Sequence, residues 1–219
     1  MEDMRYLTFA LGKGRLAKKT LELFEKIGIT CEEMKDKDTR KLIFVNEELK
    51  LRFFLAKGPD VPTYVEHGAA DIGVIGKDVL MEAQKDVYEL LDLGFGRCHL
   101  MMAVPKDKKR AKLTDYTHTR VATKFPNVAK QFFTSKGMQM EYIKMNGSIE
   151  LGPIVGLSES IVDIVETGTT LRENNLDEIA FIAKASARLI ANRASFKLKF
   201  DRISKLVKAL EMELEGANE

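Results

Sequence analysis

Residues 66–76 read "EHGAADIGVIG", and residues 156–168 read "GLSESIVDIVETG". In the first, Asp71-Ile72 precedes Gly76; in the second, Asp163-Ile164 precedes Gly168 at the same distance. Residues 70–76 are apolar apart from Asp71, of strand length, and close on glycine, which predicts a short buried strand. The second phrase leads from an acid through an apolar step into Thr167-Gly168-Thr169-Thr170. One phrase falls in each half of the chain, which points to two similar lobes.

The segments on either side alternate between strand and helix patterns. Strands are predicted over 5–11, 41–45, 51–56, 98–105, 120–124 and 178–185, and at "VYELLDLG" and "MEYIKM". A helix is predicted over 12–28, where Leu16, Leu21, Phe24 and Ile27 recur near helical spacing ahead of Gly28. Further helices fall over 59–68 and 126–137, each with proline near its start and glycine at its end, and at "KDVLMEAQ". Residues 196–215 read as one amphipathic helix with Phe200, Ile203, Leu206, Val207, Leu210 and Leu214 on one stripe. The charged stretch 106–119 reads as a surface excursion. This alternation predicts an α/β fold with two lobes of mixed, largely parallel sheet. The expected bounds are 1–92 with 181–219 for the first lobe and 93–180 for the second, which carries the threonine-rich loop. Two such lobes facing a cleft would place strand-end loops around a ligand.

At 219 residues the chain is long enough to bury a core in one large or two small domains. Its net charge of +2 comes from interleaved acids and bases. That disfavours a nucleic-acid binder, which would carry a basic stripe. Cys31 and Cys98 lie far apart, in neither a disulfide framework nor a zinc spacing. Unpaired cysteines with ten methionines fit a reducing cytoplasm, the expected location. The N-terminal "MEDMRYLTFALGKGRL" lacks a signal-peptide layout, and no apolar run reaches the roughly 18 residues of a membrane helix, so no membrane role is expected.

No nucleophile–base arrangement is legible. His67, His99 and His118 are scattered, and the adjacent Cys98 and His99 would face opposite sides of a strand. No HExxH, CxxC, GxSxG or Walker loop occurs, so no metal site built by the protein alone is predicted. What remains suits a sugar phosphate. Thr167, Thr169 and Thr170 offer hydroxyl and backbone donors, and Gly168 lets the backbone approach a ligand. A plain helix cap is the alternative reading of the same residues. Lys13 and Arg15 sit at a strand-to-helix turn, Arg40 before a strand, Lys57 at a strand end, and Lys124 between a strand and a helix. Singly, each reads equally as an exposed cation; together, several at strand ends point to an anionic ligand. Asp163, and Glu150 in the turn "NGSIELGP", are acceptors for sugar hydroxyls, or else partners of nearby cations.

The phrases "FALGKGRL", "DVPTYVEHGAADIGVIGKDVL", "RVATKFPNVA", "NGSIELGPIVGL" and "IVDIVETGTTLRENNL" run in order over most of the chain. In them the sequence resembles the short form of ATP phosphoribosyltransferase. The resemblance implies two lobes like type II periplasmic binding proteins, with the active site in the cleft between them. It implies condensation of ATP with 5-phosphoribosyl 1-diphosphate, giving N1-(5-phosphoribosyl)-ATP and pyrophosphate, the first step of histidine biosynthesis. It assigns Thr167, Gly168, Thr169 and Thr170 to the 5-phosphate, and Asp163 with Glu150 to the ribose hydroxyls. Lys13, Arg15 and Arg40 would meet diphosphate or ATP phosphates as electrostatic groups, joined by Lys57 and Lys124. Mg2+ would enter on substrate phosphates. Relatives often carry arginine at the place of Lys57, so the charge is kept here but the fork of a bidentate contact is absent; they often carry proline at the place of Gly12, which implies a different local turn. A regulatory subunit resembling histidyl-tRNA synthetase, in a hetero-octamer, is the implied partner.

Three other readings compete. A type I phosphoribosyltransferase would show paired acids before its loop, where Ile164 stands here. A solute-binding module shares the two-lobed fold but leaves the threonine loop without a purpose. A noncatalytic interaction subunit would bind phosphoribosyl diphosphate without turnover.

Overall fold

The computed structural model describes residues 6–35 and 41–216, which form two compact units. One holds the described residues up to Gly96 and from Ser186 onward; the other is Arg97–Ala185. Arg40, a predicted site residue, lies outside the described residues.

The first unit is built on β1 (Leu7–Gly12), whose six residues are all buried. A continuous apolar strand of this kind belongs at the centre of a sheet covered on both faces. It lies between β3 (Leu51–Ala56) and β4 (Ile72–Gly76), parallel to both. With β2 (Ile43–Asn46), β5 (Tyr88–Asp92) and β11 (Ala187–Ala191) the sheet order is β2-β3-β1-β4-β11-β5. Helix α1 (Arg15–Lys26) buries Leu23 and Phe24 on this sheet. Phe9 stacks on Phe53 at 4.8 Å and meets Phe24 edge-on at 5.4 Å. Helix α2 (Val61–Glu66) approaches β4 so closely that a Cβ on Gly73 would stand 2.8 Å from Val65 Cγ2 and 2.9 Å from Val61 Cγ1. Glycine at that position is a packing requirement. Helix α3 (Lys77–Ala83) follows β4.

In the second unit β6 (Cys98–Pro105), β7 (Arg120–Thr123), α4 (Pro126–Ser135), β8 (Glu141–Lys144), α5 (Leu151–Ile154), β9 (Ser160–Val165), α6 (Thr169–Glu173) and β10 (Leu176–Ala185) follow in sequence. The sheet order is β10-β6-β9-β7-β8. The two related phrases occupy matching places: β4 and β9 each lie between one parallel and one antiparallel neighbour. They are not superposable residue for residue. Asp71 precedes β4, whereas Asp163 is inside β9, and Gly168 lies beyond the strand end.

Both sheets are mixed, as expected, but parallel pairing is the smaller share. Among the described residues four ladders are parallel and five antiparallel. The difference comes from β10 and β11. They run antiparallel to every strand they pair with, as the chain comes back through both sheets.

The C-terminal segment differs from the single predicted helix. It forms α7 (Arg193–Leu198) and α8 (Phe200–Gly216), broken at Lys199. Asn192 caps α7, its Oδ1 accepting from Ala194 N and Ser195 N at 2.9 Å. Lys199 Nζ donates to Asp71 Oδ2 at 2.7 Å and to the Tyr6 carbonyl at 2.6 Å. Those contacts tie the break to the start of the sheet. Ile203, Leu206 and Leu210 of the predicted stripe are buried, while Phe200, next to the break, is 52% exposed. The charged stretch after β6 is pinned as well. Tyr116 is 2% exposed, and its hydroxyl accepts from Arg110 N at 2.7 Å. Among the described residues no helix is long and apolar enough to cross a membrane.

Candidate active site

In the second unit β9, β7 and β8 are parallel neighbours, so their C-terminal ends share one sheet edge. Loops at that edge are where open α/β sheets hold ligands. Lys124 follows β7, Asn146–Glu150 follow β8, and Glu166–Thr170 bridge β9 and the start of α6. Thr123 locks the edge. Its Oγ1 donates to Val162 O at 2.6 Å and accepts from Phe125 N at 2.9 Å, all within the buried interior. At the other end of the same strands Arg120 bonds Glu159 at 2.8 Å. That hydrogen bond holds the Glu159 carboxyl below the usual carboxylate range.

Glu150, Asp163 and the run from Ile164 to Leu171 surround a pocket of about 240 Å³. Gly168 is buried there, with φ +71°, a left-handed conformation that favours glycine. Thr167, Thr169 and Thr170 are exposed, while Asp163 and Glu150 are half-buried. Thr167 Oγ1 and Thr169 Oγ1 are 3.1 Å apart. Gly168, at the N-cap of α6, has no side chain with which to cap the helix. Asp163 Oδ1 accepts from Ile164 N at 2.8 Å, which fixes the carboxylate against its own strand. The pocket therefore brings the hydroxyls of Thr167, Thr169 and Thr170 together with the carboxylates of Glu150, Asp163 and Glu166. Donors of this kind suit a phosphate, and the acceptors suit vicinal hydroxyls.

Six of the predicted residues meet here: Glu150, Asp163, Thr167, Gly168, Thr169 and Thr170. Lys124 stands exposed at the same sheet edge but outside the lining. Lys13 and Lys57 are brought together in the first unit, at the ends of β1 and β3, where Gly12 pairs with Ala56 and Lys13 N donates to Ala56 O at 2.9 Å. Both are exposed. The two loops touch through glycine, since a Cβ on Gly12 would lie 3.4 Å from Gly58 Cα. Arg15 opens α1, behind Gly14 at φ +102°. Sequence reasoning missed Arg172, whose Nη2 donates to Thr169 Oγ1 at 3.1 Å. Its i,i+3 spacing from Thr169 on α6 was the available signal. Glu178, from β10, also reaches Gly168, and nothing local in the sequence announces it.

The family model described as "HisG: ATP phosphoribosyltransferase" matches residues 57–212. The chain belongs to the ATP phosphoribosyltransferase family. The ATP phosphoribosyltransferase of Lachnoclostridium phytofermentans is 59% identical over 208 residues, covering 94% of this chain and 96% of that one. The 219 residues fit the short form of ATP phosphoribosyltransferase. Among solved structures, the ATP phosphoribosyl transferase (HisG:HisZ) complex of Thermotoga maritima superposes with a TM-score of 0.82 at 33% identity, over 96% of this chain and 99% of that one. The periplasmic aliphatic sulphonate binding protein SsuA of Escherichia coli superposes with a TM-score of 0.63 at 12% identity, over 96% and 72%. At that identity the likeness shows the fold alone, which is periplasmic-binding-protein-like.

Proposed function

We propose that the pocket between β9 and α6 holds the ribose 5-phosphate portion of 5-phosphoribosyl 1-diphosphate. The enzyme condenses that substrate with ATP, giving N1-(5-phosphoribosyl)-ATP and pyrophosphate, the first step of histidine biosynthesis. N1 of adenine attacks the anomeric carbon as the bond to the diphosphate oxygen breaks. Positive charge builds on the ribose ring and negative charge on the leaving diphosphate. Such a reaction needs positioning and charge stabilisation more than a strong base. The residues present fit that need. Thr167, Thr169 and Thr170 with the Gly168 turn would hold the 5-phosphate. Asp163 and Glu150 would take the ribose hydroxyls and place negative charge near the cationic ring. Lys13, Arg15, Arg40, Lys57 and Lys124 would meet the diphosphate and the ATP phosphates.

Magnesium would arrive as part of the substrate, bound by diphosphate oxygens, the usual mode for this small, hard cation. Among the described residues no group of three or more His, Cys, Asp or Glu could hold a metal ion, so the substrate oxygens would supply most ligands. A regulatory subunit of the histidyl-tRNA synthetase type, in a hetero-octamer, is the proposed partner, in line with the HisG:HisZ complex. The proposed compartment is the cytoplasm, and Cys31 and Cys98, neither of them in a disulfide, suit its reducing conditions.

The observation that carries the reading is the meeting of three threonine hydroxyls with the carboxylates of Glu150 and Asp163, beside that of Glu166, around one pocket at a parallel-strand edge. Thr169→Ala combined with Thr170→Ala removes two of those donors. The apparent KM for 5-phosphoribosyl 1-diphosphate is expected to rise about 10- to 100-fold, with little change in the KM for ATP. Steady-state kinetics with each substrate varied in turn would check this. Wild-type constants would take the loop out of the site.

A further inference from the structure

Arg172 lies one helical turn beyond Thr169, on the same face of α6. Its guanidinium turns back to the start of the helix. Nη2 donates to Thr169 Oγ1 at 3.1 Å, and Nη1 lies 3.2 Å from where a Gly168 Cβ would stand. Thr169 Oγ1 is in turn 3.1 Å from Thr167 Oγ1. A hydroxyl carries one proton and two lone pairs. Whichever threonine donates to the other, one proton of the pair is left over, and both residues line the pocket. Arg172 occupies an acceptor site on Thr169, which holds that oxygen in place while the spare proton of the pair is left for an anion.

Glu178 adds the second half. Its Oε1 lies 3.1 Å from the same Cβ position on Gly168. A carboxylate beside a phosphate site repels the ligand, and a guanidinium over the same residue offsets that charge. We propose that Arg172 is a positioning residue for 5-phosphoribosyl 1-diphosphate: it sets the Thr167–Thr169 hydroxyl pair and shields the pocket from Glu178. This rests on the pocket being the phosphoribosyl site. It requires no direct contact between guanidinium and phosphate.

The test is calorimetric titration of the full chain with 5-phosphoribosyl 1-diphosphate and magnesium. Arg172→Ala is expected to weaken binding about tenfold, the size of a charge-assisted hydrogen bond at an exposed site, with the melting temperature unchanged. Arg172→Lys keeps the charge without the fork and recovers part of the loss. Glu178→Gln in the Arg172→Ala background recovers more, so the two changes are non-additive, as for groups acting on one charge. If Arg172→Ala binds like the wild type while Thr169→Ala/Thr170→Ala has lost affinity, the role of Arg172 is overturned and the pocket assignment stands. If the threonine variant also binds like the wild type, the pocket assignment falls and this role with it. Strictly additive effects of Arg172→Ala and Glu178→Gln overturn the shielding.

Discussion

Gly168→Ala is expected to lower kcat/KM for 5-phosphoribosyl 1-diphosphate about 100-fold, the cost of misplacing a binding group by about an ångström. Gly168 has φ +71°, where an L side chain is strained by roughly 1–2 kcal/mol. The new Cβ would also stand 3.1 Å from Glu178 Oε1 and 3.2 Å from Arg172 Nη1. Both side chains have flexible ends, so they move rather than the backbone, and Arg172 then loses its hold on Thr169. The damage therefore falls on the pocket and much less on the fold. The melting temperature is expected to drop only a few degrees, as a loss of about 1–2 kcal/mol implies for a chain of this size. Kinetics and calorimetry on one preparation separate the two effects. A variant with wild-type kcat/KM would mean that the ligand does not approach the Gly168 turn.

The largest effect on stability is expected at Lys199. Its side chain is 8% exposed and that of Asp71 is 7% exposed. Around this pair, Asp71 Oδ2 accepts from Lys199 Nζ and from Thr8 N at 2.8 Å, while Asp71 N donates to Thr8 O at 2.9 Å. Lys199→Met would leave the Asp71 carboxylate buried beside an apolar chain. Removing one partner of a buried pair costs about 3–5 kcal/mol, much more than the pair contributes over an apolar replacement. Urea denaturation is expected to show that loss as a lower midpoint with an unchanged slope. Adding Asp71→Asn removes the stranded charge but keeps an acceptor for Thr8 N, and is expected to recover most of the stability. A loss below about 1 kcal/mol in Lys199→Met would mean that the pair is not a buried structural one, since only exposed ion pairs are worth so little.

Much of the architecture was legible because local signals agreed. The predicted strands over 51–56 and 98–105 match β3 and β6 at both ends, and the helix opened by Pro126 forms at that residue. Other elements are set by contacts distant in sequence. "ARLIA" at 187–191 has neither alternation nor turn signals strong enough to mark a strand; β11 exists because β4 and β5 flank it. The break at Lys199 depends on Asp71, which no helical pattern in 196–215 contains. The same division holds at the site. Thr167 to Thr170 were visible as a run of small donors, and Asp163 and Glu150 as acids next to turns. Glu178 reaches Gly168 only because α6 turns the chain back into β10, so its place follows from tertiary structure. Arg172 was within reach of sequence reasoning but carried no signal apart from its helical spacing.

We propose that these residues form the phosphoribosyl-transfer site of the enzyme. The most direct test is to incubate the purified chain with ATP, 5-phosphoribosyl 1-diphosphate and magnesium. Pyrophosphatase would draw the reaction forward, and the synthetase-like partner would be present in one series and absent in the other. Phosphoribosyl-ATP is expected in at least one series, and is expected to be lost there in Thr169→Ala/Thr170→Ala at limiting 5-phosphoribosyl 1-diphosphate. Failure of the wild-type chain to form phosphoribosyl-ATP in either series would contradict the assignment.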